Sequence, residues 1–278
     1  MVDRDKALDD AAVADPPDGS RGSLFVASVE KAFRVLHLFN GAKVELSFSD
    51  VAQRSGIGRS ATQRFLYTLH TLGYLVQDPV SKGYRLSSKL LTLTQSYSRS
   101  DVLREKASAL LEEANRRCEE TVNLTVLDGT EVVYIVRFPS KHVVSVNLTV
   151  GTRLPAFCTA PGRVLLAQLE QGQLERILSE SRLTKLTEMT ETRPDRLRKI
   201  LEQVRHQGYC ISNQEAFVGD ISVAAPVFDE EGQAVAAVNI AVPTPRWSMT
   251  RVQHKLMPVV REVASDLSAA LGRSGRSG

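Results

Sequence analysis

The chain has 278 residues, 42% hydrophobic and 24% charged, with a formal net charge of +3. At roughly 150 residues per domain this length predicts two domains of ordinary globular composition. No apolar run approaches the roughly 18 residues that a membrane span needs, and the acidic, polar start MVDRDKALDDAAVADPPDGSRG is unlike a signal peptide, so a cytoplasmic protein without a membrane partner is expected.

The charge is unevenly spread. Residues 1–23 carry three basic and six acidic side chains, and the proline-rich end of this segment predicts a disordered tail. Residues 24–100 carry ten basic side chains (Lys31, Arg34, Lys43, Arg54, Arg59, Arg64, Lys82, Arg85, Lys89, Arg99) against four acidic, and the remainder holds 22 of each. Such an excess in one stretch marks either a nucleic-acid module joined to a neutral domain or a well-solvated basic surface.

Within that stretch, SVEKAFRVLHLF (residues 28–39) has helical apolar spacing behind Ser28 as N-cap, followed by a polar turn at Asn40-Gly41. Ser49 is read as the cap of a short helix, Asp50–Ser55, and Gly56-Ile57-Gly58 as a tight turn. Arg59–Leu72 forms the next helix, with Ala61, Phe65, Leu69 and Leu72 as its buried stripe. Strands at Tyr74–Gln77 and Gly83–Leu86 enclose a turn that carries Lys82. This order is that of a winged helix-turn-helix over residues 24–86. The side chains placed to meet double-stranded DNA are Ser49, Arg59, Ser60, Thr62, Gln63, Arg64, Tyr67 and Lys82, because a helix in the major groove needs donors and acceptors that reach base edges and phosphates.

Residues 87–100 predict a linker helix, which either pairs with its twin in a dimer or packs on its own domain. The rest, residues 101–272, alternates helices and strands and predicts an α+β domain on a mainly antiparallel sheet. A helix over Leu103–Cys118 precedes strands at Val122–Leu127, Val132–Arg137 and Val143–Leu148, the first two joined by an Asp128-Gly129 turn. Helices at Pro161–Leu169, Gln171–Ser179 and Pro194–Gln207 lead to strands at Tyr209–Asn213, Ser222–Phe228 and Ala234–Val242. Trp247 packs the following turn, and a last helix over Met249–Leu271 is expected to bend at Pro258. Residues 273–278 read as a second tail.

The segments SVEKAFRVLHLF, FSDVAQRSGIGRSATQRFLYTLHTLGYL, TVNLTVLDGTEVVYIVRF, GTRLPAFCTAPGRVLLA and ISVAAPVFDEEGQAVAAVNIAV together resemble the IclR-type bacterial regulators over roughly residues 25–271. The stretch SVNLTVGTRLPAFCTAPGRVLLA is most similar to the branch that regulates protocatechuate, β-ketoadipate and 4-hydroxybenzoate catabolism. The resemblance implies a GAF-like effector domain, a homodimer or dimer of dimers, a palindromic operator, and a small carboxylic or aromatic acid as effector. It places one wall of the effector site on Cys158, Thr159, Ala160, Pro161 and Gly162, and the opposing walls on Ser212, Gln214, Ser222, Asn239 and Ala241.

Thr159-Ala160-Pro161-Gly162 also leads a loop into a helix, whose N-terminal N–H groups and dipole favour a carboxylate, and Arg153 and Arg163 are candidate charge partners. Relatives with an acidic residue and paired serines differ from the Ser212, Asn239 and Ala241 found here, which leaves room for a bulkier, partly apolar ligand. Cys158 near His142 raises nucleophilic catalysis or redox sensing, against a plain core role. No catalytic signature surrounds it, so no enzyme is expected. The three cysteines lack CxxC spacing and the five histidines lack HExxH, so neither metal nor cofactor is expected. The alternative to a ligand-controlled regulator is an effector-independent one that acts through a protein partner.

Overall fold

The computed structural model describes residues 24–40, 45–93, 102–142 and 148–272. The chain divides into two compact units, Met1–Ser100 and Asp101–Gly278. Both expected tails, the turn at Gly41, residues 143–147 of the expected third strand and the linker helix past residue 93 lie outside the described residues.

In the first unit α1 (Ala27–His37) starts after Val26 rather than Ser28, with no side-chain cap. Helix α2 (Phe48–Ser55) is capped by Ser47 and not by Ser49. Asp50, three residues on, decides this. Its N–H donates to Ser47 Oγ (3.1 Å) while its carboxylate accepts from the Ser47 N–H (2.9 Å), which closes a reciprocal capping box. The turn into α3 (Arg59–Thr71) needs left-handed backbone at Gly56 (φ 68°) and Gly58 (φ 78°), where glycine carries no Cβ penalty.

The buried stripe of α3 is Thr62, Leu66 and Leu69; Leu69 is buried as expected, Thr62 and Leu66 take the places expected of Ala61 and Phe65, and Leu72 is 51% exposed. Thr62 Oγ1 donates to Gly58 O at 2.8 Å, so its hydroxyl enters the core already satisfied. Leu66 and Leu69 join Val35, Phe39, Leu46, Val51 and Leu75 in one cluster. Strands β1 (Leu75–Gln77) and β2 (Tyr84–Leu86) form an antiparallel pair, and Leu46 bridges to Tyr84 from the other side. Asp78 Oδ1 shapes the wing turn by accepting from the Val80 and Ser81 N–H groups. A helical turn begins at residues 90–93.

The second unit starts with α4 (Val102–Cys118), β3 (Thr121–Asp128) and β4 (Glu131–Phe138). Next come β5 (Arg153–Pro155), α5 (Ala160–Leu166), α6 (Gln171–Glu180) and α7 (Pro194–Gln207). It ends with β6 (Cys210–Asn213), β7 (Asp220–Phe228), β8 (Ala234–Pro243) and a terminal helix α8 (249–272). The strands form one sheet in the order β5-β4-β3-β8-β7-β6, antiparallel at every pairing. The sheet edge beyond β4 is β5; of the strand expected at 143–148, Leu148, its one described residue, is not in a strand.

Period-two alternation sorts the strands into two cores. Val122, Leu124, Val223, Ala225, Val238 and Ile240 pack against α4 and α8, whereas Val132, Tyr134, Cys210, Ala224 and Ala237 pack against α5, α6 and α7. Helix α8 contains a π turn at Val252–Leu256, just before Pro258, which has no N–H for a carbonyl one turn back.

Candidate nucleic-acid interface and small-molecule site

On the first unit, α3 turns Arg59, Ser60, Gln63, Arg64 and Tyr67 outward; all five are exposed, Tyr67 at 69%. The Arg59 guanidinium lies over the Phe48 ring at 4.9 Å, which steadies the head of that side chain against α2. Gly58 gives the helix no side-chain cap and its first turn holds no acid, so the positive end of α3 is open to a phosphate. Lys82 is exposed in the wing at φ 58°. Ser49 is exposed too, in the first turn of α2.

Thr62 does not belong with these residues. It is fully buried, and an inward-facing hydroxyl bonded to its own helix has nothing left for DNA. Lys89, part of the basic excess, is also committed elsewhere, because its Nζ donates to Leu72 O (2.8 Å) at the end of α3 and lies over the Tyr74 ring.

On the second unit a line of polar groups crosses the sheet on the face that carries α5. Arg137 Nη1 donates to Asn123 Oδ1 (3.0 Å), Asn123 Nδ2 to Asn239 Oδ1 (3.4 Å), and Asn239 Nδ2 to Ser222 Oγ (3.0 Å). Register brings in the others, since Ser222 pairs with Ala241 on one side and with Ser212 on the other. Ser212 Oγ donates to Cys158 O (3.3 Å), which ties the sheet to the segment entering α5. The structure thus gathers Cys158, Ser212, Ser222, Asn239 and Ala241, anticipated on four separate segments, around one face.

Several expectations about this face need correction. Much of the N-terminus of α5 is internally used: Thr159 Oγ1 accepts from the Gly162 N–H (3.2 Å), Pro161 has no N–H, and the Arg163 N–H goes to Thr159 O. Ala160, Pro161 and Gly162 act as a buried wall, not as a row of open donors. Arg163 is no ligand cation, for the residue is buried and its guanidinium forks onto Glu215 (2.5 and 2.6 Å) and donates to Phe157 O. Burial alone would disfavour its charge, but the Glu215 carboxylate reverses that and holds it protonated. Arg153 pairs with Asp128 and Glu131 at the surface. Gln214 sits at φ 59° and its amide oxygen accepts from the Gly219 N–H (3.0 Å), so it builds the turn before β7. Burial pushes the Cys158 thiol up to about 12, the reverse of what a nucleophile or redox sensor needs.

Four residues of this face were not anticipated: Asn123, Tyr134, Arg137 and Asp220. A bulge hid two of them. The β3–β4 register steps from Leu124↔Val136 to Thr125↔Tyr134, which skips Ile135, and so Tyr134 and Arg137 share a face although they are three residues apart. Burial pushes the Asp220 carboxyl up to about 7, with Arg137 pulling the other way. Burial likewise lowers the Arg137 guanidinium, which Tyr134 and Asp220 oppose, and it raises the Tyr134 hydroxyl, with Asp220 adding to that effect.

Two family models match the chain, the IclR helix-turn-helix domain over residues 28–79 and the bacterial transcriptional regulator IclR C-terminal domain over residues 95–269. The chain belongs to the IclR family. It is a DNA-binding transcriptional regulator, not an enzyme. This IclR-family chain is 33% identical to the Pca regulon regulatory protein of Pseudomonas putida, over 87% of its own length and 83% of that protein's. A transcriptional regulator of Rhodococcus sp. RHA1 has the same fold, with a TM-score of 0.78 and 35% identity over 90% of this chain and all of the other. An IclR homologue of Microbacterium hydrocarbonoxydans, solved in complex with 4-hydroxybenzoate, gives a TM-score of 0.75 and 25% identity over 88% and 98% of the two chains. Among the described residues no helix is long and apolar enough to cross a membrane, and no three His, Cys, Asp or Glu side chains cluster as metal ligands would.

Proposed function

We propose that this IclR-family protein controls a catabolic operon by binding a palindromic operator as a homodimer or dimer of dimers, and that a small aromatic or other carboxylic acid sets its DNA affinity. In this reading residues 24–86 are the DNA-binding head, 87–100 a linker helix and 101–272 the effector domain, within a cytoplasmic protein. Ser49, Arg59, Ser60, Gln63, Arg64, Tyr67 and Lys82 meet the DNA. A two-fold operator requires at least two such heads.

The observation that carries the effector reading is the Arg137–Asn123–Asn239–Ser222 line. Polar side chains bonded to one another beside an apolar core are what a site for a partly apolar acid presents, because each can exchange a neighbour for a ligand atom. The relative bound to 4-hydroxybenzoate supports an aromatic acid over a shorter one.

Fluorescence anisotropy on DNA from upstream of the gene, at fixed salt, tests this. A tenfold change in affinity on adding 4-hydroxybenzoate or a related acid, about 1.4 kcal/mol of coupling, is the expected result. Tight DNA binding that no acid alters would point instead to control through a protein partner.

A further inference from the structure

The four side chains of the polar line are joined head to tail, and the first of them sets the direction of all. A guanidinium can only donate, so the Asn123 atom that meets Arg137 Nη1 (3.0 Å) is its amide oxygen. That turns Asn123 Nδ2 toward Asn239 Oδ1 (3.4 Å), and it turns Asn239 Nδ2 toward Ser222 Oγ (3.0 Å). Ser222 therefore accepts, and a hydroxyl that accepts still has its own proton to give. Among the described residues Asn239 is the one partner of Ser222 Oγ. Burial shows that this end of the line meets open space. Asn123 and Asn239 are 1% exposed, and further along the same face Ala224 and Ala237 are buried in the core that holds α5. Ser222 and its register partner Ala241 keep solvent contact.

We infer that the Ser222 hydroxyl donates to an acceptor oxygen of the effector, and that Arg137 and Asn123 are positioning residues which fix this polarity through Asn239. This rests on the small-acid reading above and adds to it the atom that meets the ligand and the residues that orient that atom. An oxyanion, which only accepts, matches the offered proton; a ligand donor at the same point would leave that proton without a partner. The direction depends on the Arg137–Asn123 bond alone, and the ligand need not touch Arg137.

An asparagine amide keeps nearly the same shape after a half-turn, so a line without a fixed end is free to run either way. Run backwards, Ser222 would spend its proton on Asn239 Oδ1 and offer the ligand only lone pairs. The arginine at the far end, three strands from β7 in the sheet order β4-β3-β8-β7, excludes that state. Ser212, the register partner of Ser222 on the other side, does not replace the lost donor, because its hydroxyl is buried and already donates to Cys158 O. Hydrogen bonds aligned in one sense also polarise one another, which strengthens the final donor.

Isothermal titration calorimetry of the full chain with 4-hydroxybenzoate, with Ser222→Ala made in the unaltered chain and again in Asn123→Asp, tests this as a double-mutant cycle. Asp at position 123 still accepts from Arg137 but has no N–H for Asn239, whose amide then turns and takes the Ser222 proton. Ser222→Ala is expected to weaken binding about tenfold in the unaltered chain and less than about twofold in Asn123→Asp, where the proton is already spent. The charge that Asn123→Asp adds is common to both members of its pair and cancels. Arg137→Lys, which also only donates, should keep the full loss, whereas a merely structural disturbance of the line would reduce it in both backgrounds. Asn123→Leu serves where Asn123→Asp does not fold, and a smaller loss than in the unaltered chain is expected there too. No loss from Ser222→Ala in the unaltered chain, an equal loss in the position-123 variant, or a loss reduced alike in Arg137→Lys overturns this inference and leaves the acid reading in place. No binding of any aromatic acid to the unaltered chain overturns both.

Discussion

Gly162 shows how one residue sets the geometry of the small-molecule site. A Cβ there would run into the backbone of Ala156, because the first turn of α5 lies directly on the preceding 3-10 turn at Ala156–Cys158. Gly162→Ala is expected to destabilise the second unit by about 1–3 kcal/mol, read from a denaturant midpoint at unchanged slope, since neither backbone can retreat. Burial of the Asp220 carboxyl gives the same unit a pH dependence. Its folded value of about 7 lies above its ordinary 3.8, so the folded state holds the extra proton between those limits. Stability from this group is complete below about pH 4 and is lost as pH rises through 7. Asp220→Asn should therefore show less loss of melting temperature than the unaltered chain between about pH 5 and pH 8, and parallel curves would refute the assignment. Neither role was legible beforehand. The glycine looks like any loop glycine, and an acid at a strand start reads as solvent-facing until the sheet is closed around it.

Among the elements, α5 and the 214–219 turn are held by one buried fork. Arg163 spans from α5 to Glu215, whose carboxylate also accepts from the Glu191 N–H and whose carbonyl accepts from Thr190 Oγ1. Removing one partner leaves a buried charge uncompensated, so Glu215→Ala should cost about 3–5 kcal/mol, while the apolar double change Arg163→Met with Glu215→Leu should cost clearly less. Equal losses in the single and double variants would show that packing, not charge, holds the turn. Helix limits were largely legible: Pro194–Gln207 was anticipated residue for residue, because its proline start, periodic leucines and Gly208 end are all local. The cap of α2 was misplaced by two residues because serines at 47 and 49 compete, and only the reciprocal bond to Asp50 separates them.

For the whole molecule, the division of labour between a basic head and a second, neutral unit predicts how DNA binding responds to salt. Lys82→Ala in the wing should weaken binding evenly across sequences and lower the slope of log affinity against log salt by about one. Gln63→Ala should instead cost about 1–3 kcal/mol and relax preference at one base-pair position. Thr62→Val should do neither, because that side chain faces the core of the head. A Thr62 variant with the Gln63 phenotype would mean that the inward face of α3 had been assigned wrongly. What the sequence by itself determined was the head and most of the element order, since both depend on periodicity, turn residues and charge counted over short spans, and the family, which whole segments of sequence carry; the short strand β5 was not anticipated. The side chains of the second unit that converge were decided by the tertiary structure. Arg137 and Tyr134 share a face only after a bulge shifts β4 by one residue, and the β7 residues join that face only once β7 is laid beside β8, three strands from β4 in the sheet. The same folding closed Arg163 onto Glu215 and took it out of contention as the ligand's cation. Local pattern encodes which face a residue occupies within one strand; which charges end up sharing a space depends on register between strands far apart in the chain, and that is settled by packing.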